Sequence, residues 1–214
     1  MSPGATIWTQ TLAFAVAIFS VLNPLGALPV FLALTKDASR REIKHISTVC
    51  SFTVFITIMA AMIFGQELLK FFGITIPSFR VGGGIFIGLM SLAMLSGDKH
   101  SSRLNSKEVE ANNDASIGIV PLAIPLLAGP GTITASILYS EKFDSLETWA
   151  LAAVMVAIIA LILKVILVFG RPLGERLGVV GLNVFGRVMG LILMAMAVES
   201  MAAGLRDLFP ILKG

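Results

Sequence analysis

Val21-Leu22-Asn23-Pro24-Leu25-Gly26-Ala27-Leu28-Pro29-Val30-Phe31 is an apolar stretch broken by two prolines five residues apart. A second such stretch, Ala123-Ile124-Pro125-Leu126-Leu127-Ala128-Gly129-Pro130-Gly131-Thr132-Ile133-Thr134, carries the same pair spacing at Pro125 and Pro130. Proline has no N–H, and its ring clashes with the carbonyl four residues back, so it is costly inside a helix. At membrane depth such breaks survive only where protein or a water-filled cavity serves the freed backbone groups. Interrupted hydrophobic segments at corresponding places in two halves of a chain point to a transporter's binding site.

The rest of the chain fits a membrane setting. Of its 214 residues 56% are hydrophobic and only 14% charged, against about 25% charged in an average soluble domain. The mean hydropathy is +0.91. Lys and Arg sit beside the apolar runs, so the net charge of +3 reads as orientation signals and not as a nucleic-acid patch. The one cysteine, Cys50, excludes an intrachain disulfide. His45 and His100 fall in charged loops, no metal-ligand spacing exists, and neither metal nor cofactor is expected. Residues 1–10 lack the basic start of a signal peptide, so the first apolar run is expected to be a retained helix.

A bilayer core needs about 20 mostly apolar residues per helix. Six segments qualify, at 9–34, 46–68, 79–96, 117–140, 147–170 and 187–206. The expected fold is all-α and polytopic: one membrane domain over residues 1–214, with six transmembrane helices. Connectors 1–2, 3–4 and 5–6 hold Lys36, Arg40, Arg41, Lys44, Lys99, Arg103, Lys107, Arg171, Arg176 and Arg187. The opposite side holds Lys70, Arg80, Lys142, Arg206 and Lys213. The excess places the three connectors in the cytoplasm and both termini outside.

Shifting the chain by 101 residues lays Pro24 on Pro125, Ala27 on Ala128, Pro29 on Pro130 and Thr35 on Ser136. Phe79-Arg80-Val81-Gly82-Gly83-Gly84-Ile85 resembles Gly186-Arg187-Val188-Met189-Gly190-Leu191-Ile192 at a shift of 107. Two three-helix repeats follow, 9–96 and 117–206, joined by a cytoplasmic linker over 97–116. A unit with an odd number of spans is inserted upside down the second time. Inverted repeats place the substrate site near the midplane, between the broken helices.

At the first break Pro24 and Pro29 strip donors from the carbonyls near residues 20 and 25. Gly26 permits close approach, and the Asn23 amide both donates and accepts. Asn23 either binds solute or simply serves the loosened backbone of a kink. At the second break Gly129 and Gly131 flank Pro130, which suits the first position of a resumed half-helix. The free N–H groups there suit a carboxylate. Thr132 adds a hydroxyl, with Thr134 and Ser136 behind it, although such hydroxyls often bond their own backbone or a neighbouring helix. The candidate substrate-binding residues are thus Asn23, Pro24, Gly26, Pro29, Gly129, Pro130, Gly131 and Thr132.

Glu199 is the only acidic residue well inside a span, which makes it a candidate coupling site. The alternative is a structural partner for Lys164. At about 1.5 Å per residue, Lys164 lies roughly 10 Å and Glu199 roughly 18 Å from the cytoplasmic side. Gly82, Gly83, Gly84, Gly88, Gly186 and Gly190 read as helix-packing contacts, and Arg80 and Arg187 as interfacial anchors.

Asn23-Pro24-x-Gly26-x-x-Pro29-x-Phe31-x-x-x-Thr35 resembles the signature of the MarC family of inner-membrane proteins. Pro121-Leu-Ala-Ile-Pro125-Leu-Leu-Ala-Gly129-Pro130-Gly131 resembles that family's second signature, and Asn183 to Glu199 its sixth helix. The resemblance covers nearly the whole chain. It implies six helices, a bacterial inner (plasma) membrane location, distant kinship with lysine-exporter carriers, and neutral amino acids such as glycine or alanine as substrates. Family members suggest uptake, and the carrier kinship suggests export.

The expected function is a secondary transporter of small solutes with a cavity between the first and fourth spans. Proton and sodium are both open as coupling ions, and an oligomer is compatible with the sequence. No ATP-binding motif, nucleophile–base pair, paired acids or membrane histidine is present, so an enzyme is not expected. The competing class is a non-transporting membrane subunit or scaffold, which leaves the matched breaks without a reason.

Overall fold

The computed structural model describes residues 3–35, 38–96, 127–209 and 211. The described residues form seven helices: α1 (Pro3–Leu22), α2 (Pro24–Leu34), α3 (Arg40–Phe71), α4 (Ile76–Ser96), α5 (Pro130–Ser140), α6 (Leu146–Val168) and α7 (Gly170–Leu208). No strand occurs among them. Five stretches are long and apolar enough to span a bilayer: Ile7–Leu28, Arg40–Phe71, Ile76–Ser96, Leu146–Val168 and Asn183–Leu208. These match five of the six expected spans. The linker 97–116 and the first part of the span expected at 117–140, with Pro121 and Pro125, lie outside the described residues. What is described of that span is the eleven-residue α5.

Helix starts follow from local chemistry. Ser39 accepts from the Glu42 N–H while the Glu42 carboxylate accepts from the Ser39 N–H, a capping box that opens α3. Ser145 and Thr148 build the same box at α6. Inside α7, Gly178 adopts φ 61°, which costs glycine little, and separates an entering segment from the membrane span.

Caps in the two halves of the chain recur at one spacing. Half-helix starts at Asn23 and Gly129, half-helix ends at Thr35 and Glu141, and long-helix starts at Ser39 and Ser145 are each 106 residues apart. Pro24 and Pro130 thus hold the same place in their half-helices, whereas Pro125, which the 101-residue shift lays on Pro24, lies outside the described residues. The physical reason is that each half-helix takes its proline at the first position, where the missing N–H is no loss. Pro29 falls inside α2.

α3 and α6 bury matching stripes. Ile43, Ser47, Cys50, Val54, Ile58 and Met62 of α3 recur three and four residues apart, as do Thr148, Ala152, Val156, Ile159, Leu163 and Leu167 of α6. α4 and α7 form the most extensive helix pair, antiparallel and close. A Cβ on Gly84 would stand 3.0 Å from the Ala197 carbonyl oxygen, and one on Gly204 2.8 Å from that of Pro77. Gly190 faces the Ser91 carbonyl in the same way, whereas Gly82 and Gly186 face open space. The expected packing role thus holds for part of the glycine series only.

The broken first span is the most enclosed. Of its apolar window 56% is buried, against 28–33% in the other four. Phe14, Ile18, Leu22, Leu28 and Phe31 along it are at most 2% exposed. α5 is likewise central, burying Gly131, Thr132, Thr134, Ser136 and Ile137. The outer faces of α3 and α6 present Phe52, Phe64, Val154 and Leu161 outward, as lipid-facing surfaces do.

Candidate functional site at the two helix breaks

The first break turns on Asn23, which sits at φ 45°, ψ 63° in the left-handed region. Among non-glycine residues asparagine tolerates that conformation well, because its short polar side chain bonds locally. Its Oδ1 accepts from the Gly26 N–H at 3.2 Å, and its Nδ2 donates to Met94 Sδ of α4 at 3.6 Å. Its own N–H still donates to the Phe19 carbonyl. The amide thus serves the loosened backbone and ties it to α4. Pro24 is buried behind it, while Gly26 is exposed.

The second break is built without a side-chain cap. Gly129 is buried and extended, at φ −69°, ψ 179°, and offers no capping bond. Pro130 takes the first helical position, and the first turn closes with the Ile133 N–H on the Gly129 carbonyl. The Thr132 hydroxyl, buried, donates to the Leu127 carbonyl at 2.9 Å, and Ser136 donates to the Thr132 carbonyl. The first amides of α5, on Gly131 and Thr132, have no partner within the helix, as at every helix start. Thr134 is turned away, its methyl packed against Gly83 of α4.

The fold brings the two breaks to one place. A Cβ on Gly131 would meet Val21 Cγ1 at 3.1 Å, Ile87 Cγ1 at 3.4 Å and Met90 Sδ at 3.5 Å. Val21 lies two residues before Asn23, and Met90 lies one turn from the Met94 that Asn23 touches. One face of α4 therefore contacts both breaks, and only glycine fits at 131 without displacing a neighbour.

Glu199 is elsewhere. It is exposed on α7, beside Ser200, whose hydroxyl donates to the Arg80 carbonyl, and interacts electrostatically with the Tyr139 phenol of α5. It forms no ion pair with Lys164, and none of the contacts at the two breaks involves it. A cavity of about 230 Å³ lies between α1 and α6, lined by Val16, Phe19, Ser20, Met155, Ile158 and Ile162. That lining, apolar but for Ser20, offers little to hold a zwitterion, and it meets the first break at Phe19 and Ser20, one turn before Asn23.

Two arginines stand out that sequence reasoning treated as surface charges. Arg80 of α4 reaches Glu141 at 3.1 Å and Asp207 at 3.2 Å. Arg171 donates to the Thr35 carbonyl at 2.6 Å and the Ala38 carbonyl at 2.9 Å. The available signal was their position beside the Gly/Pro-rich helix ends, which does not reveal their partners.

The profile of the "MarC family integral membrane protein" matches residues 8–209. A UPF0056 membrane protein of Pyrococcus horikoshii is 38% identical over 195 residues, 91% of this chain and 93% of that protein. UPF0056 membrane protein YvbG of Bacillus subtilis is 36% identical over 201 residues, 92% and 94% of the two chains. YhcE of Escherichia coli, of the same description, is 33% identical over 198 residues, 92% of each. No solved structure matches. The matched region begins within α1, takes in both breaks and ends just past α7, and by that agreement the chain belongs to the MarC family of integral membrane proteins.

Proposed function

We propose that the chain is a secondary transporter of small solutes, foremost neutral amino acids, working by alternating access between two inverted three-helix repeats. The observation that carries this reading is the meeting of two proline-initiated half-helices, α2 and α5, beside Met90 and Met94 of α4. The packing supports the inversion. α3 pairs with α6, α4 pairs with α7, and α2 packs on α7 as α5 packs on α4. Exchange of the two halves leaves that pattern unchanged, as a pseudo-two-fold axis requires. In this reading connectors 1–2, 3–4 and 5–6 face the cytoplasm of a plasma membrane.

In this reading the uncapped amides of Gly131 and Thr132, at the positive end of α5, receive the solute carboxylate. The carbonyls that Pro24 and Pro29 leave without donors, with the free lone pairs of Thr132 and Asn23, receive the ammonium group. The one hydroxyl proton of Thr132 is already committed to the Leu127 carbonyl, so Thr132 acts as an acceptor, while the Asn23 amide keeps a second N–H beside the one on Met94. Glu199 carries the coupling proton or sodium ion.

The test is counterflow in proteoliposomes containing the purified chain, using a panel of radiolabelled neutral amino acids that begins with glycine and alanine. Saturable counterflow of at least one of them is expected. If none exchanges, the transport reading fails and a non-transporting membrane subunit takes its place.

A further inference from the structure

Each half-helix that restarts at a break has its far end held by an arginine from the other half of the chain. Glu141 is the C-cap residue of α5, and its carboxylate lies 3.1 Å from the Arg80 guanidinium of α4, which also reaches Asp207 near the end of α7 at 3.2 Å. Thr35 is the C-cap residue of α2, and its carbonyl accepts from Arg171 of α7, as does the Ala38 carbonyl. The chemistry suits both places. Carbonyls at a helix C-terminus carry partial negative charge and lack partners, and an arginine–carboxylate contact is charge-assisted.

The two clamps lie at opposite ends of the molecule. Ala38 comes just before the start of α3, and Arg80 follows its end after a short turn. The 32 residues of α3 between them span about 48 Å at 1.5 Å per residue. α6, with 23 residues and about 35 Å at 1.5 Å per residue, runs in return from the Glu141 end to the Arg171 end. One clamp therefore sits at each membrane surface, and each joins one repeat to the other.

We propose that Arg80 and Arg171 lock two gates, one on each face, and that the structure with both clamps made is closed to both sides. This rests on the transport reading above. Release of Arg80 frees the end of α5 to swing on the uncapped, extended Gly129, and release of Arg171 frees the end of α2 to swing on Asn23. The side chains of the Arg80 cluster are 19% to 40% exposed, and ion pairs with that much water access are weak enough to break in each cycle.

The test reads accessibility without any solute. In a Cys50→Ser background, Leu25→Cys places a thiol on a partly buried residue beside the first break. It is labelled with a membrane-impermeant maleimide in vesicles of each orientation. Arg80→Gln is expected to raise labelling several-fold from the face that carries Arg80 and to lower it from the other. Arg171→Gln is expected to do the reverse, and Arg171→Lys to return labelling toward the parent. Glu141→Gln with Asp207→Asn removes the same lock from its acidic side, so it decides the matter if Arg80→Gln does not fold. Labelling that is unchanged, or that rises equally from both faces, overturns the proposal. Flat labelling alongside intact counterflow removes the gates alone. Sided labelling with no counterflow removes transport and leaves a two-state helix clamp.

Discussion

Asn23 is the one non-glycine residue with positive φ among the described residues, and it does two jobs at once. It takes the left-handed turn and it caps α2 through Gly26. Alanine at this position loses the cap, about 1 kcal/mol, and adds a left-handed penalty of roughly 1–2 kcal/mol. Glycine loses the cap at a cost of only a few tenths and relieves the backbone. Thermal unfolding in detergent should therefore rank the parent first, Asn23→Gly close behind, and Asn23→Ala clearly lowest. Equal destabilisation by the two substitutions would mean that the contact with Met94, and not the backbone geometry, is what Asn23 supplies. The residue type and its proline neighbour were legible as a break. The turn's hand was not, because it depends on how α1 and α2 are directed by their packing.

At the scale of elements, ends were more legible than faces. The five described spans begin and end within about six residues of those expected, and Ser39 with Glu42 and Ser145 with Thr148 cap two of the starts. The glycines show the contrast. Their spacing suggests a packing stripe, yet only the tertiary arrangement tells Gly204, pressed on the Pro77 carbonyl, from Gly186, facing open space. Gly204→Ala must displace backbone and is expected to destabilise the α4–α7 pair by about 1–3 kcal/mol. Gly186→Ala should be neutral or stabilising by up to about 1 kcal/mol, from helix propensity. Unfolding midpoints in mild detergent check both, and a neutral Gly204→Ala would show that the two helices separate freely.

For the whole molecule, the proposed coupling role of Glu199 carries its own expectation. Glu199→Gln should retain counterflow, which needs no driving ion, and lose gradient-driven accumulation together with its pH or sodium dependence. Accumulation that survives the substitution with unchanged ion dependence would remove Glu199 from the mechanism. Its place on α7 near Tyr139, away from both breaks, makes this a test of coupling at a distance. Hydrophobicity and proline placement determined on their own that the chain is a helical membrane protein with two interrupted segments. Those are local properties: transfer free energy and backbone donors belong to each stretch whatever surrounds it. Which interrupted segments meet, that Gly131 fits against Val21 and Met90, and that Arg80 and Arg171 hold the ends of α5 and α2 were decided only by the tertiary structure. Contacts between residues from about forty to 136 positions apart arise from how helices cross, and no local pattern of residues encodes a crossing.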